Sequence, residues 1–219
     1  MNEKKIVYES EYLSLEDLKE IRNFYHIKIN DSIYHSAGPY LEEKNKLGWE
    51  GCWDRNLHLE ILDNPIHKLI DKLKNDFGQF EIDSCSIRYL SAPFLPHSDV
   101  VNVEWIENFK KLNRKEGWIF LIPLTFVKEY VPGTAFFNCP PQLNEPLYSE
   151  MLDILPNFSD KYQKEMKNFS VKKIVKWKSA GDLIAWENFQ WHSSCHFGNV
   201  VYDQQSWVKE FISIKTYII

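Results

Sequence analysis

The chain has 219 residues and 44% hydrophobic content, enough to bury a sizeable core within one domain. Its net charge of −5 supplies no overall basic field, which argues against nucleic acid or an anionic membrane as partner, and no stretch has the apolar length to span a bilayer. Cys52, Cys85, Cys139 and Cys195 form no Cys-x-x-Cys pair and no apolar run follows Met1–Ile6, so free thiols and a cytoplasmic location are expected.

Residues 5–13 alternate loosely and predict an opening strand. Ser14 reads as a helix N-cap with Asp17 as its carboxylate partner, and Leu15, Leu18, Ile21 and Tyr25 give that helix one apolar stripe ending near His26. Residues 28–62 carry turn signals at Gly38-Pro39 and Gly48–Gly51 and predict loops with short strands; the aromatic segment 47–60 suits either a substrate-side wall or simple packing. A second helix is clearer. Asp63-Asn64-Pro65 reads as its cap and first turn, Gly78 as its stop, and Ile66, Leu69, Ile70, Leu73 and Phe77 as its buried face.

From residue 79 the period becomes that of strands. Phe80–Cys85 alternates and Ser86–Leu90 continues it. The lysine-rich run 110–115 reads as a solvated connector. Trp118–Phe126 predicts a buried strand, with Pro123 at an edge or bulge because it cannot donate to a ladder. Residues 138–170 break the pattern and read as an insertion, either a lid of short helices or a surface flap.

Two stretches carry chemistry. In the extended segment ending at Pro96-His97-Ser98-Asp99, alternation turns His97 and Asp99 to one face. An imidazole and a carboxylate side by side make two-thirds of a two-histidine, one-carboxylate metal site, which leaves three positions open on iron(II). The second stretch, Gly181-Asp182-Leu183-Ile184-Ala185-Trp186, leads from a turn through an apolar run towards His192, with His196 as a rival ligand.

With Tyr89 ahead of the His-x-Asp pair and Gly133-Thr134-Ala135-Phe136 between the two stretches, residues 80–219 resemble the 2-oxoglutarate- and iron(II)-dependent oxygenases, in the prolyl-hydroxylase-like branch. The resemblance implies an α+β, mainly β fold: a double-stranded β-helix, or jelly-roll (cupin-like) barrel, braced by N-terminal helices. Residues 1–79 would form the helical and loop support, and residues 80–219 the barrel with its insertion near 138–170. It implies Fe(II) held by His97, Asp99 and His192, 2-oxoglutarate as co-substrate, and O2. Hydroxylation of a small-molecule or amino-acid-like substrate would follow, with succinate and CO2 as co-products.

The chain departs from the family at one position. The usual Arg-x-Ser of the last strand falls at Phe211-Ile212-Ser213, so the far carboxylate of 2-oxoglutarate needs another cation. Lys209 is the first candidate, Lys215 and Arg88 the others, with the Tyr89 hydroxyl as an added donor. On a strand from Trp207 onward, Lys209, Phe211, Ser213 and Lys215 share one face, while Ile212, Ile214 and Ile218 share the other. The missing arginine keeps two alternatives open: a cupin-type metal enzyme (isomerase or hydrolase) that does not use 2-oxoglutarate, and a barrel that binds without turnover. Nothing in the sequence sets the oligomeric state.

Overall fold

A computed structural model describes residues 5–25, 52–90, 111–126, 133–138, 170–194 and 209–219. Nine strands and two helices lie in these residues. In chain order they are β1 (Ile6–Glu9), α1 (Leu15–Asn23), β2 (Cys52–Asn56), α2 (Ile66–Phe77), β3 (Glu81–Leu90), β4 (Lys115–Phe126), β5 (Gly133–Asn138), β6 (Ser170–Lys176), β7 (Leu183–Glu187), β8 (His192–Ser194) and β9 (Lys209–Ile218). The strands form a six-stranded sheet, ordered β1-β7-β4-β9-β3-β2, and a three-stranded sheet, ordered β6-β5-β8. Every pairing is antiparallel.

The helices begin and end for local reasons. The Ser14 hydroxyl accepts from the Asp17 amide and the Asp17 carboxylate accepts from the Ser14 amide, which satisfies two of the donors a helix start leaves over. At α2 the expected cap is displaced: Pro65 is the N-cap and has no side-chain cap bond. Asn64 does that work from one residue earlier. Its Oδ1 accepts from the Ile66 amide, and its Nδ2 donates to the Leu57 and His58 carbonyls. Gly78 ends α2 at φ 88°, where a side chain would be strained.

Strands β1, β7, β4 and β9 separate two apolar clusters, and β3 contributes to one of them. Phe120, Ile122, Ile87, Ile212 and Ile214 lie in one with Leu18 and Ile21 of α1 and Leu69, Ile70 and Leu73 of α2. Ile119, Leu121, Ile184, Trp186 and Phe211 lie in the other with Phe136 and Val175 of the small sheet. The alternation along β9 read from sequence is the alternation observed. Pro123 sits at a register shift between Pro123 and Thr125, as its missing amide requires. The lysine-rich connector departs from the solvated reading at Arg114. Its guanidinium stacks 3.8 Å from the Tyr217 ring centroid and reaches Asp83 at 3.5 Å, because β9 and β3 present an aromatic face and a carboxylate beside it.

One buried carboxylate ties the early and late parts of the chain together. Asp182 is 0% exposed and accepts from the Tyr8 hydroxyl (2.7 Å), the Glu11 amide (2.9 Å), the Lys178 and Ser179 amides (2.7 and 2.9 Å) and the Ser179 hydroxyl (3.1 Å). Next to it Gly181, at φ 86°, donates to the Pro123 carbonyl and accepts from the Leu13 amide; a Cβ there would stand 2.5 Å from the Leu13 oxygen. Burial alone would raise the Asp182 pKa, but the surrounding donors outweigh it and hold the carboxyl below its ordinary value. The same burial and the adjacent carboxylate push Tyr8 up to about 12.

Asp182→Asn turns an acceptor into a donor facing backbone amides, and should cost about 3 kcal/mol in urea unfolding at pH 7. A depressed folded pKa contributes stability above the unfolded value, about 4. The gap between wild type and variant should therefore hold down to that pH. It should then close as the pH falls through the depressed pKa. A gap that widens on acidification would contradict this assignment.

Candidate active site

The small sheet brings His192 to the face it shares with the large one. The turn before it is fixed from several directions. Asn188 donates from its amide to the Gly117 carbonyl and from Nδ2 to the Thr216 carbonyl, and the Phe189 amide donates to Glu116 Oε1. The buried Gln190 donates from Nε2 to the Phe137 and Trp191 carbonyls, which locks the turn to β5. Phe137 in turn donates from its amide to Trp191. His192 then pairs with Phe136 in the β5–β8 ladder.

The imidazole is 7% exposed and packed on two aromatics, 4.6 Å between ring centroids from Trp186 and 6.5 Å from Phe136. Its Nδ1 lies 3.0 Å from the Gln190 carbonyl, which can only accept. Nδ1 therefore carries the proton, and in the neutral ring the lone pair is on Nε2. A backbone carbonyl on one ring nitrogen is the usual way to fix an imidazole for metal ligation through the other.

His97 and Asp99, the other two expected ligands, lie outside the described residues, as do His196, Cys195, Cys139, His26 and all of the insertion except Asn138 and Ser170. Among the described residues no three His, Cys, Asp or Glu side chains come together as a metal-binding group. Cys85 is buried, with its thiol pKa raised by desolvation, and so behaves as a small apolar residue. His58 and His67 are engaged elsewhere, with Glu60 and the Ile61 carbonyl respectively.

The co-substrate candidates spread along the strands. For Tyr89 and Lys209 the backbone alone is described: Tyr89 stands opposite Glu210, and Lys209 opposite Leu90 and Phe126. Arg88 stands opposite Phe211, which is 2% exposed in the inter-sheet cluster, and opposite Asp54 on its other side. Lys215 stands opposite Ile119, which pairs in turn with Trp186. Lys215 thus occupies the row of the tryptophan that packs on His192. The Arg88–Phe211 row lies four residues along β9, about 13 Å away.

Sequence reasoning took Gly181-Asp182 as a turn and did not see the carboxylate as a hub. The available signal was an acid directly before four apolar residues, since a buried carboxylate needs several donors. It also missed Gln190 and the packing of Trp186 on His192.

No protein-family model matches the chain, and no curated protein matches it in sequence. Solved structures do. SnoN, a non-heme α-ketoglutarate-dependent epimerase from nogalamycin biosynthesis, superposes with a TM-score of 0.54 at 11% identity over 98% of this chain and 78% of SnoN. SnoN in complex with Fe3+, α-ketoglutarate and nogalamycin RO gives the same TM-score over 79% of its length. A prolyl-4-hydroxylase of Pseudomonas putida superposes with a TM-score of 0.50 at 7% identity, over 98% of this chain and 91% of the hydroxylase.

This chain has their fold. The likeness of backbone covers 98% of this chain, more than the residues 80–219 that carry the resemblance in sequence. No helix among the described residues is long and apolar enough to cross a membrane.

The imidazole geometry predicts one tautomer. In 15N-edited NMR of the metal-free protein, the neutral His192 ring should show a protonated Nδ1 and an unprotonated Nε2. Protonation at Nε2 instead would remove the case for this ring as a ligand.

Proposed function

We propose that the protein is an Fe(II)- and 2-oxoglutarate-dependent dioxygenase that hydroxylates a small-molecule or amino-acid-like substrate. The observation that carries the reading is His192. It is a buried imidazole oriented through Nδ1 by a backbone carbonyl, in a fold shared with iron- and α-ketoglutarate-dependent enzymes. Its donor chemistry fits iron(II), and His97 and Asp99 would complete a facial set. In this reading residues 1–219 form one oxygenase-like domain, cytoplasmic, in which the two sheets close as a double-stranded β-helix.

When bound, the iron with 2-oxoglutarate and O2 supplies an oxidant able to attack an unactivated C–H bond, with succinate and CO2 as co-products. The chain's own residues bind, orient and exclude water. The carbonyl of Gln190 keeps the His192 lone pair on Nε2, and Trp186 and Phe136 keep water from its flanks. A far carboxylate needs a cation away from the metal. Lys215 is a poor clamp, because its row is that of Trp186, the ring that packs on His192. Arg88 is in the right row but has Asp54 opposite. Lys209, two pairs beyond Phe211 and on the same face of β9, remains the first choice; Tyr89, the expected added donor, pairs with Glu210 and so falls on the other face, that of Ile87 and Ile212.

One observation favours a second reading. Phe211, where the family resemblance expects arginine, is buried among aromatic and aliphatic side chains. A metal enzyme of the same fold that makes no use of 2-oxoglutarate would suit that position. Anaerobic titration with Fe(II) and 2-oxoglutarate separates the two, since the visible charge-transfer band of a chelated 2-oxoacid should develop under the first reading alone.

His97→Ala, Asp99→Ala and His192→Ala should each abolish O2-dependent succinate release, whereas His196→Ala should keep most of it. Loss in His196→Ala with retention in His192→Ala would transfer the ligand role, and succinate that persists without O2 would end the oxygenase reading. Lys209→Met should raise the KM for 2-oxoglutarate about 30-fold or more with iron affinity unchanged, as expected for losing one partner of a buried charge pair. Lys215→Met and Arg88→Met are its controls, and a larger effect in either moves the clamp there.

A further inference from the structure

Trp186 is 0% exposed, and its indole nitrogen is shielded from solvent with no hydrogen-bond partner among the described residues. A buried donor without an acceptor is costly, and Phe or Leu would fill an apolar site without that cost. The neighbours of this ring narrow what the donor is for. It packs on His192 at 4.6 Å between centroids with a 53° tilt, and on Phe136 at 5.3 Å with a 67° edge-on geometry. An acceptor must therefore come within reach of a ring that already lies against the imidazole. The Gln190 carbonyl is taken by His192 Nδ1, so it does not supply that acceptor.

We propose that the Trp186 N–H is a ligand-binding group, donating to a carboxylate oxygen of a metal-chelating 2-oxoacid held beside His192. The proposal rests on the reading of His192 as a metal ligand. A carboxylate is the ligand chemistry that gains most here, because a charge-assisted bond is strong in a site lined by Ile119, Leu121, Ile184 and Phe136. The dry cluster also explains why the donor is kept. No protein group among the described residues accepts from it, and the ligand supplies that partner. The competing account is an N–H···π contact with Phe136, which would satisfy the donor weakly without any ligand.

The test uses zinc-loaded full-length protein, 2-oxoglutarate as probe, and 15N-labelled tryptophan. The indole cross-peak missing in Trp186→Phe identifies Trp186. On adding 2-oxoglutarate that peak should move downfield in the wild type, as a new hydrogen bond requires. By calorimetry Trp186→Phe should bind 2-oxoglutarate roughly 10- to 100-fold more weakly at unchanged zinc affinity. Should Trp186→Phe fail to fold, benzothienylalanine at position 186 keeps the ring volume and removes the donor, with the same weakening expected. An upfield peak that ignores 2-oxoglutarate, or wild-type affinity in either variant, overturns the proposal in favour of the Phe136 contact. Failure of the wild type to bind 2-oxoglutarate overturns the dioxygenase reading along with it.

Discussion

The rest of the molecule depends on a carboxylate that water does not reach. Asp182 gathers a hydroxyl from β1, an amide from the turn after β1, and two amides and a hydroxyl from the turn that feeds β7. Without those donors the charge would be buried without a partner. The arrangement sets where β1 joins the large sheet, in register from Ile6 opposite Trp186 to Glu9 opposite Leu183. Because β7 leads through a tight turn to β8, the same carboxylate fixes the direction from which His192 arrives.

The second constraint is that one sheet serves two interiors. Along β4, Ile119 and Leu121 face the small sheet while Phe120, Ile122 and Leu124 face the helices; β9 divides in the same way. The helix-side interior is closed by aliphatic and aromatic packing, with the rings of Phe77, Phe80, Trp118 and Phe120 in contact, and by the Tyr25–Asn64–Leu57 hydrogen bonds. The inter-sheet interior holds the oriented imidazole of His192 with Trp186 and Phe136 packed on it. The helix packing and the surroundings of His192 are thus carried on opposite faces of the same strands, one residue apart.

Much of this was legible because it follows from local rules. The Ser14–Asp17 box, the Gly78 stop, the Pro123 bulge and the two faces of β9 each depend on a few neighbouring residues. What the sequence did not show depends on partners far away. Asn64 replaces the expected cap of α2 because Leu57, His58 and Tyr25 surround it. Arg114 leaves the solvent because Asp83 and Tyr217 are beside it. Asp182 reads as a turn residue until Tyr8 and Glu11 are placed against it. Of the expected metal ligands, His192 is in the described residues, and its orientation comes from a carbonyl two residues away, which no spacing rule would single out.

The place of β9 bears on how the chain can be made. Residues 209–218 form neither edge of the large sheet; they lie between β4 and β3 and hydrogen-bond to both. During synthesis, β3 leaves the ribosome about 120 residues and β4 about 80 residues before the strand that joins them, and each must wait with an unpaired edge and an uncovered apolar face. Folding therefore has no stable halfway point at which the sheet is built but the last strand is absent. Such a topology, rich in distant pairings, folds slowly and favours an escort for the nascent chain.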